Sequence, residues 1–340
     1  MTEQEKAKKM KEIFRKAASN MCWGEMENEK TAQVKECAGE ESHGNNQASP
    51  KPTLKKETCL LGAIAGDTIG APYEFDCNNI KTTEFPLFNR ASCWTDDSVM
   101  TVAVAEAVMA GFAGGQLAGD HPDARKPDPA LTEKAMVASM QKWGQDYPYA
   151  GYGSNFRHWL VDKNPKPYNS WGNGSAMRVS AVGWAYDTLE EVEKFAEISA
   201  RVTHNHPEGI KGAKAVAAAI FLGRAGKSKE EILDYVERTY GYPISKMTCD
   251  KIRPTYHMDE SCQNTVPQAF CAFREGNSFE EVARLAVSLG GDSDTLCCIA
   301  CSMAEAVYGI PAEIQQETIN RLDEQMLKML IRFQKFVASK

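Results

Sequence analysis

Several absences narrow the functional classes open to this chain. No apolar run reaches the roughly 20 residues that a membrane-spanning helix needs. The opening Met1-Thr2-Glu3-Gln4-Glu5-Lys6-Ala7-Lys8-Lys9-Met10 is too polar for a secretory signal, so a cytoplasmic location is the expectation. There is no surplus of positive charge: 39 Lys and Arg against 46 Asp and Glu give a net charge of −7, and no nucleic-acid backbone is expected as a partner. Alternating apolar and polar residues, the mark of a half-buried strand, are scarce. Cysteine is present, 11 in all, but not in paired metal motifs. Cys298-Ile299-Ala300-Cys301 is formally a C-x-x-C, yet it has no second pair and lies in an apolar run. With Cys271 and Cys297, it reads as buried, reduced thiol packing. No His spacing supports a zinc site.

What remains is ordinary globular composition, 43% hydrophobic and 25% charged. Residues 1–55 form a polar extension, rich in Lys and Glu, partly helical or disordered. Met10, Ile13 and Phe14 offer one short helical face there. From residue 56 to 340 the pattern is repeatedly helical and is expected to form one domain. Leu60 to Ile69 is apolar, with Gly62, Gly66 and Gly70 four apart, a spacing that lets another helix approach closely. Further helical runs are expected at Val99–Met109, Glu133–Trp143, Leu189–Val202, Lys211–Arg224, Lys229–Thr239, Phe279–Leu289 and Thr295–Tyr308. Ala312–Phe336 carries a long amphipathic pattern. Long connections fall at 112–131, 145–175 and 241–263, where function often resides. The class is therefore all-α, with a site built from loops and helix starts.

Two acidic clusters stand out, Trp94-Thr95-Asp96-Asp97-Ser98 and Gly290-Gly291-Asp292-Ser293-Asp294-Thr295. Each precedes an apolar helical run, so each sets several hard oxygen donors at a helix start. Asp, Ser and Thr are also the preferred N-caps, and capping alone explains one such residue per helix. It does not require adjacent carboxylates, which repel one another unless a cation lies between them. If the clusters converge, they form an all-oxygen site that suits Mg²⁺ or Mn²⁺ better than zinc or copper.

Three further segments complete a pattern: Gly66-Asp67-Thr68-Ile69-Gly70-Ala71-Pro72-Tyr73-Glu74, Gly172-Asn173-Gly174-Ser175-Ala176-Met177-Arg178 and Thr203-His204-Asn205-His206-Pro207-Glu208-Gly209. With the acidic clusters, in this order, they resemble the ADP-ribosylglycohydrolases over roughly residues 57–310. The resemblance implies an orthogonal multi-helix bundle around a cleft for two Mg²⁺ or Mn²⁺ ions. It implies metal binding by Thr95, Asp96, Asp97, Asp292, Asp294 and Thr295, with Asp294 bridging. Glu74 becomes the candidate for proton transfer or gating, with Asp97 and Asp294 also catalytic, and Asp67 orients the metal ligands. Gly151, Gly153, Gly172, Asn173, Gly174, Ser175, Met177 and His204 are implied contacts for the ribose, pyrophosphate and adenosine parts. A glycine loop before a helix also suits phosphate on physical grounds, although Asn-Gly is equally a simple turn.

The implied reaction hydrolyses the bond between ADP-ribose and an acceptor on a protein or small conjugate. The His204-Asn205-His206-Pro207 segment leans toward arginine as that acceptor. Two other classes stay open on the residues: an ADP-ribose-binding protein without catalysis, and a two-metal phosphoesterase. A monomer is the default expectation.

Overall fold

The computed structural model describes residues 58–112 and 126–340. The extension 1–55, its face of Met10, Ile13 and Phe14, and part of the connection at 112–131 lie outside the described residues. All regular elements among the described residues are helical, and Gly172 and Ser261 form one isolated antiparallel bridge. No described helix is long and apolar enough to cross a membrane.

In chain order the helices are α1 (Leu61–Gly70), α2 (Asp96–Phe112), α3 (Pro129–Asp146), α4 (Ser154–Val161), α5 (Gly174–Met177), α6 (Ser180–Ala185) and α7 (Leu189–Arg201). There follow α8 (Pro207–Arg224), α9 (Lys229–Tyr240), α10 (Cys249–Ile252), α11 (Cys262–Glu275), α12 (Phe279–Leu289), α13 (Ser293–Tyr308), α14 (Ala312–Arg321) and α15 (Glu324–Ala338). Local chemistry sets many of the boundaries. Ser228 and Glu231 form a reciprocal capping box on α9, and Gly241 ends that helix in the left-handed region at φ 72°. Thr188 and Ser278 cap α7 and α12.

The run expected at 312–336 is two helices. Asp323 turns its carboxylate onto Met326 N–H at 2.8 Å, caps α15 and breaks the chain from α14. The connection at 145–175 contains α4, and α11 follows the connection at 241–263. Pro267 lies inside α11, a residue that ordinarily argues against a helix interior.

Helices α1, α2 and α13 are buried on nearly every face, as expected of helices apolar all round. Helix α13 lies along α1, and the glycine stripe is the reason it can. A Cβ on Gly62 would stand 2.6 Å from Cys301 O, and one on Gly66 or Gly70 would enter the backbone of Cys297 or Ser293. Cys271, Cys297, Cys298 and Cys301 are free thiols in the core. This close pair has a functional consequence: it brings the C-terminal half of α1 against the first turn of α13.

Candidate metal centre and cleft

The pairing of α1 with α13 places Asp67 beside Asp294, and Ser293 Oγ donates to Gly70 O at 3.0 Å to fix the register. The start of α2 meets them from a third direction. Asp67 holds it there: its carboxylate accepts Thr95 N–H and Thr95 Oγ1 at 2.8 Å, Ser98 N–H at 3.0 Å and Ser98 Oγ at 2.5 Å. Asp96 N–H donates to Ala150 O at 2.7 Å, which ties the glycine-containing loop after α3 to the same helix start. Gly151, in that loop, has φ 104°, a conformation that favours glycine.

Two trios of buried carboxylates result. One oxygen each of Asp67, Asp97 and Asp294 lie within 4.8 Å of one another, and so do those of Glu74, Asp292 and Asp294. Asp294 belongs to both. The hydroxyls add to the donor set: Thr295 Oγ1 is 3.2 Å from Asp97 Oδ2, and Thr95 Oγ1 is 3.4 Å from Asp294 Oδ2. Glu74 is buried in the cleft rather than on a surface loop, in extended backbone after a short 3₁₀ turn, Ala71–Tyr73. Asn79 secures this stretch to the second cluster. Its amide donates to Tyr73 O and Phe75 O at 2.7 Å, and its Oδ1 accepts Gly291 N–H at 2.7 Å. Gly290, at φ 76°, leaves the room that Asn79 and Lys81 occupy.

The electrostatics record crowding. Burial, then the Asp294 charge, raises the Asp67 carboxyl to about 7 against the pull of its hydrogen bonds from Ser98 and Thr95. Burial, then Asp294, Glu74 and Asp97, pushes Asp292 well above the usual carboxylate range. A divalent cation among these oxygens would offset that repulsion. The trios contain neither Cys nor His, so the donor set fits a hard ion.

The carboxylates form the floor of an open cleft. Glu74, Asp96, Asp97, Asp292, Asp294 and Thr295 line it, together with Gly151, Gly153, Gly172, Asn173, Gly174, Met177 and His204. Two expected residues stand apart from this lining. Thr95 is not among the lining residues; its N–H and hydroxyl donate to Asp67, and the same hydroxyl lies 3.4 Å from Asp294 Oδ2. Ser175 is fully buried, and its hydroxyl donates to Gly209 O at 2.8 Å instead of facing the cleft. Asn173 lines the cleft, but its amide is engaged: Nδ2 donates to Asp292 Oδ2 at 2.7 Å and to Thr265 Oγ1 at 3.1 Å. It thus orients a carboxylate of the floor. The helix after the glycine loop is only the four-residue α5, with no side chain capping it. His206 caps α8 through Glu208 N–H at 3.2 Å and stays outside the lining.

Arg178 also lines the cleft and was singled out by no motif argument, although it closes the Gly172–Arg178 segment. It is 1% exposed. Trp171 is another surprise, 52% exposed beside the glycine loop and edge-on to His206. Only burial and position in space reveal either.

Comparison with known proteins agrees with this geometry. Residues 53–337 match the family model for ADP-ribosylglycohydrolase. The chain is 26% identical over 336 residues to ADP-ribosylhydrolase ARH3 of Bos taurus, covering 76% of this chain and 87% of that protein. It is 30% identical over 289 residues to an uncharacterized protein of Archaeoglobus fulgidus, with 75% and 88% covered. ADP-ribosylarginine hydrolase Tri1 of Pseudomonas putida is 24% identical over 292 residues, with 77% and 73% covered. Among solved structures, an "ADP-ribosylglycohydrolase-related protein complex" shares the fold, with a TM-score of 0.58 at 23% identity, over 83% of this chain and 97% of that one. The all-helical bundle, the paired carboxylate trios and a family match running from residue 53 to 337 lead to one conclusion: the chain belongs to the ADP-ribosylglycohydrolase family.

Proposed function

We propose that the chain is a metal-dependent hydrolase that cleaves the glycosidic bond between ADP-ribose and an acceptor, releasing ADP-ribose. The observation that carries this reading is Asp294, shared by two buried carboxylate trios at the floor of a cleft that also holds Arg178 and His204.

Asp96, Asp97, Asp292, Asp294, Thr95 and Thr295 are the residues that would hold two Mg²⁺ or Mn²⁺ ions. Bound there, such ions would supply positive charge to the site and would lower the pKa of a water. The chain's own groups do the rest. Asn173 and Asp67 fix the directions of Asp292 and of the Thr95–Ser98 turn. To Glu74, buried next to Asp292 and Asp294, we assign the transfer of a proton between the attacking water and the leaving atom of the acceptor. The buried carboxylates stabilise the oxocarbenium character that develops at the ribose carbon. Gly151 and Gly153 let the ribose approach the backbone closely.

Arginine is the acceptor we propose, from the His204–Pro207 segment. The Pseudomonas putida relative is named for ADP-ribosylarginine, whereas ARH3 carries no acceptor in its name. The test is release of free ADP-ribose from arginine-linked and serine-linked peptides with Mg²⁺, Mn²⁺ or EDTA. Metal-dependent release, faster from arginine, is expected. Equal or serine-preferring turnover would remove the arginine assignment. Release of AMP would point to phosphoester cleavage, and tight ADP-ribose binding without turnover to a binding protein.

A further inference from the structure

Behind the Gly172–Gly174 loop, three buried side chains form a hydrogen-bonded line. Arg178 Nη2 donates to Ser199 O at 2.9 Å and to Thr203 Oγ1 at 2.8 Å. Thr203 Oγ1 lies 2.7 Å from His204 Nδ1. A guanidinium only donates, so the threonine oxygen receives the arginine proton and its own O–H must find another acceptor. Thr203 is fully buried, and His204 Nδ1 is the acceptor within reach. The reverse arrangement, with Nδ1–H donating to the threonine, would leave a buried hydroxyl proton with no acceptor. Burial and the Arg178 charge also hold the imidazole well below its ordinary pKa, so the ring is neutral and its one proton sits on Nε2.

Nε2 lies against the glycine loop. A Cβ on Gly172 or Gly174 would stand 3.4 or 3.2 Å from it, and both glycines line the cleft with His204. Arg178 itself carries a buried Nε with no hydrogen-bond partner. This wall therefore combines a fixed positive charge with a directed N–H.

We infer that Arg178 and Thr203 are positioning residues: they lock His204 as the tautomer protonated on Nε2, so that the wall donates a hydrogen bond to an anionic phosphate oxygen of the bound nucleotide. The ligand half of this inference rests on the ADP-ribose reading above; the tautomer half does not. Phosphate oxygens only accept, so the opposite tautomer would present a lone pair to a lone pair.

The test uses the ¹⁵N-labelled full chain without ligand. Long-range ¹H–¹⁵N spectra report the tautomer of each histidine ring, with His204 assigned through His204→Gln. The wild type should show bare Nδ1 and protonated Nε2. Thr203→Ser, which keeps the hydroxyl, should retain that pattern and bind ADP-ribose within about twofold of wild type. Thr203→Val should lose the tautomer preference and bind about tenfold more weakly, the scale of one hydrogen bond. A wild-type proton on Nδ1 would overturn the inference, even if Thr203→Val fails to fold. So would a Thr203→Val protein that changes tautomer but keeps full affinity. If the wild-type spectrum is as expected while ADP-ribose does not bind, the locked tautomer stands and the nucleotide reading falls.

Discussion

Glu305 offers a quantitative test of how α1 is held. It sits on α13 beneath the first turn of α1, 4% exposed, and its Oε2 accepts Gly62 N–H at 3.0 Å. Burial raises its carboxyl from 4.5 to about 7, while hydrogen bonds from Thr58 and Gly62 pull it back by less. A folded-state value above the unfolded one means that the folded protein holds this proton more tightly. The stability so gained is complete below about pH 4.5 and is lost as pH rises through about 7. A rise of about 2.5 pK units corresponds to roughly 3 kcal/mol, of which roughly 2–3 kcal/mol falls between pH 5 and pH 8. Glu305→Gln keeps an acceptor for Gly62 N–H and removes the titration. Urea denaturation of metal-free protein, followed by circular dichroism at pH 5 to 8, gives the comparison. Asp67 titrates in both proteins, so the difference between their curves isolates Glu305. Wild type should lose roughly 2–3 kcal/mol more than the variant across this range. Curves parallel to within about 0.5 kcal/mol would refute the account, because they would mean that Glu305 ionises in the folded protein as it does in the unfolded chain.

Other outcomes follow from the same geometry. Asn173→Ala frees Asp292 and should weaken Mn²⁺ or Mg²⁺ binding by about 10–100-fold in calorimetric titration; unchanged affinity would contradict the orienting role. Gly66→Ala drives a Cβ into the Cys297 backbone, which cannot swing aside as a side chain would, so a loss at or above about 3 kcal/mol is expected in denaturation and a neutral effect would mean that α1 and α13 pack less closely. Asp323→Ala removes a helix cap far in sequence from the cleft and should cost about 1 kcal/mol while leaving metal affinity as it was.

The helical class was legible because strand alternation is scarce and apolar periodicity recurs, and the glycine stripe at 62, 66 and 70 announced a close helix pair. Periodicity could not see the break at Asp323, since a capping Asp also fits the polar face of one long amphipathic helix. The apolar run around Cys271 is part of helix α11, whose bounds were not read from the sequence. The acidic clusters declared themselves through adjacent carboxylates, whose repulsion capping does not explain. Direction was beyond the sequence. Nothing in Gly172–Ser175 tells that the Asn173 amide turns to Asp292, or that the Ser175 hydroxyl turns to Gly209. Arg178 was equally silent, because a lone Arg in a motif looks like surface until burial is known.

The centre draws Asp67 and Asp97 from near one end of the described chain and Asp294 from near the other. Contacts of that sequence separation form only after a large loop-closure cost has been met, so they are late events in folding. During synthesis, a nascent chain that has not yet emerged past α13 lacks Asp292 and Asp294 from its carboxylate floor, however well its earlier helices have formed. Ion affinity should therefore arise abruptly once α13 has been made and packed, and a divalent cation would reward only a chain folded that far.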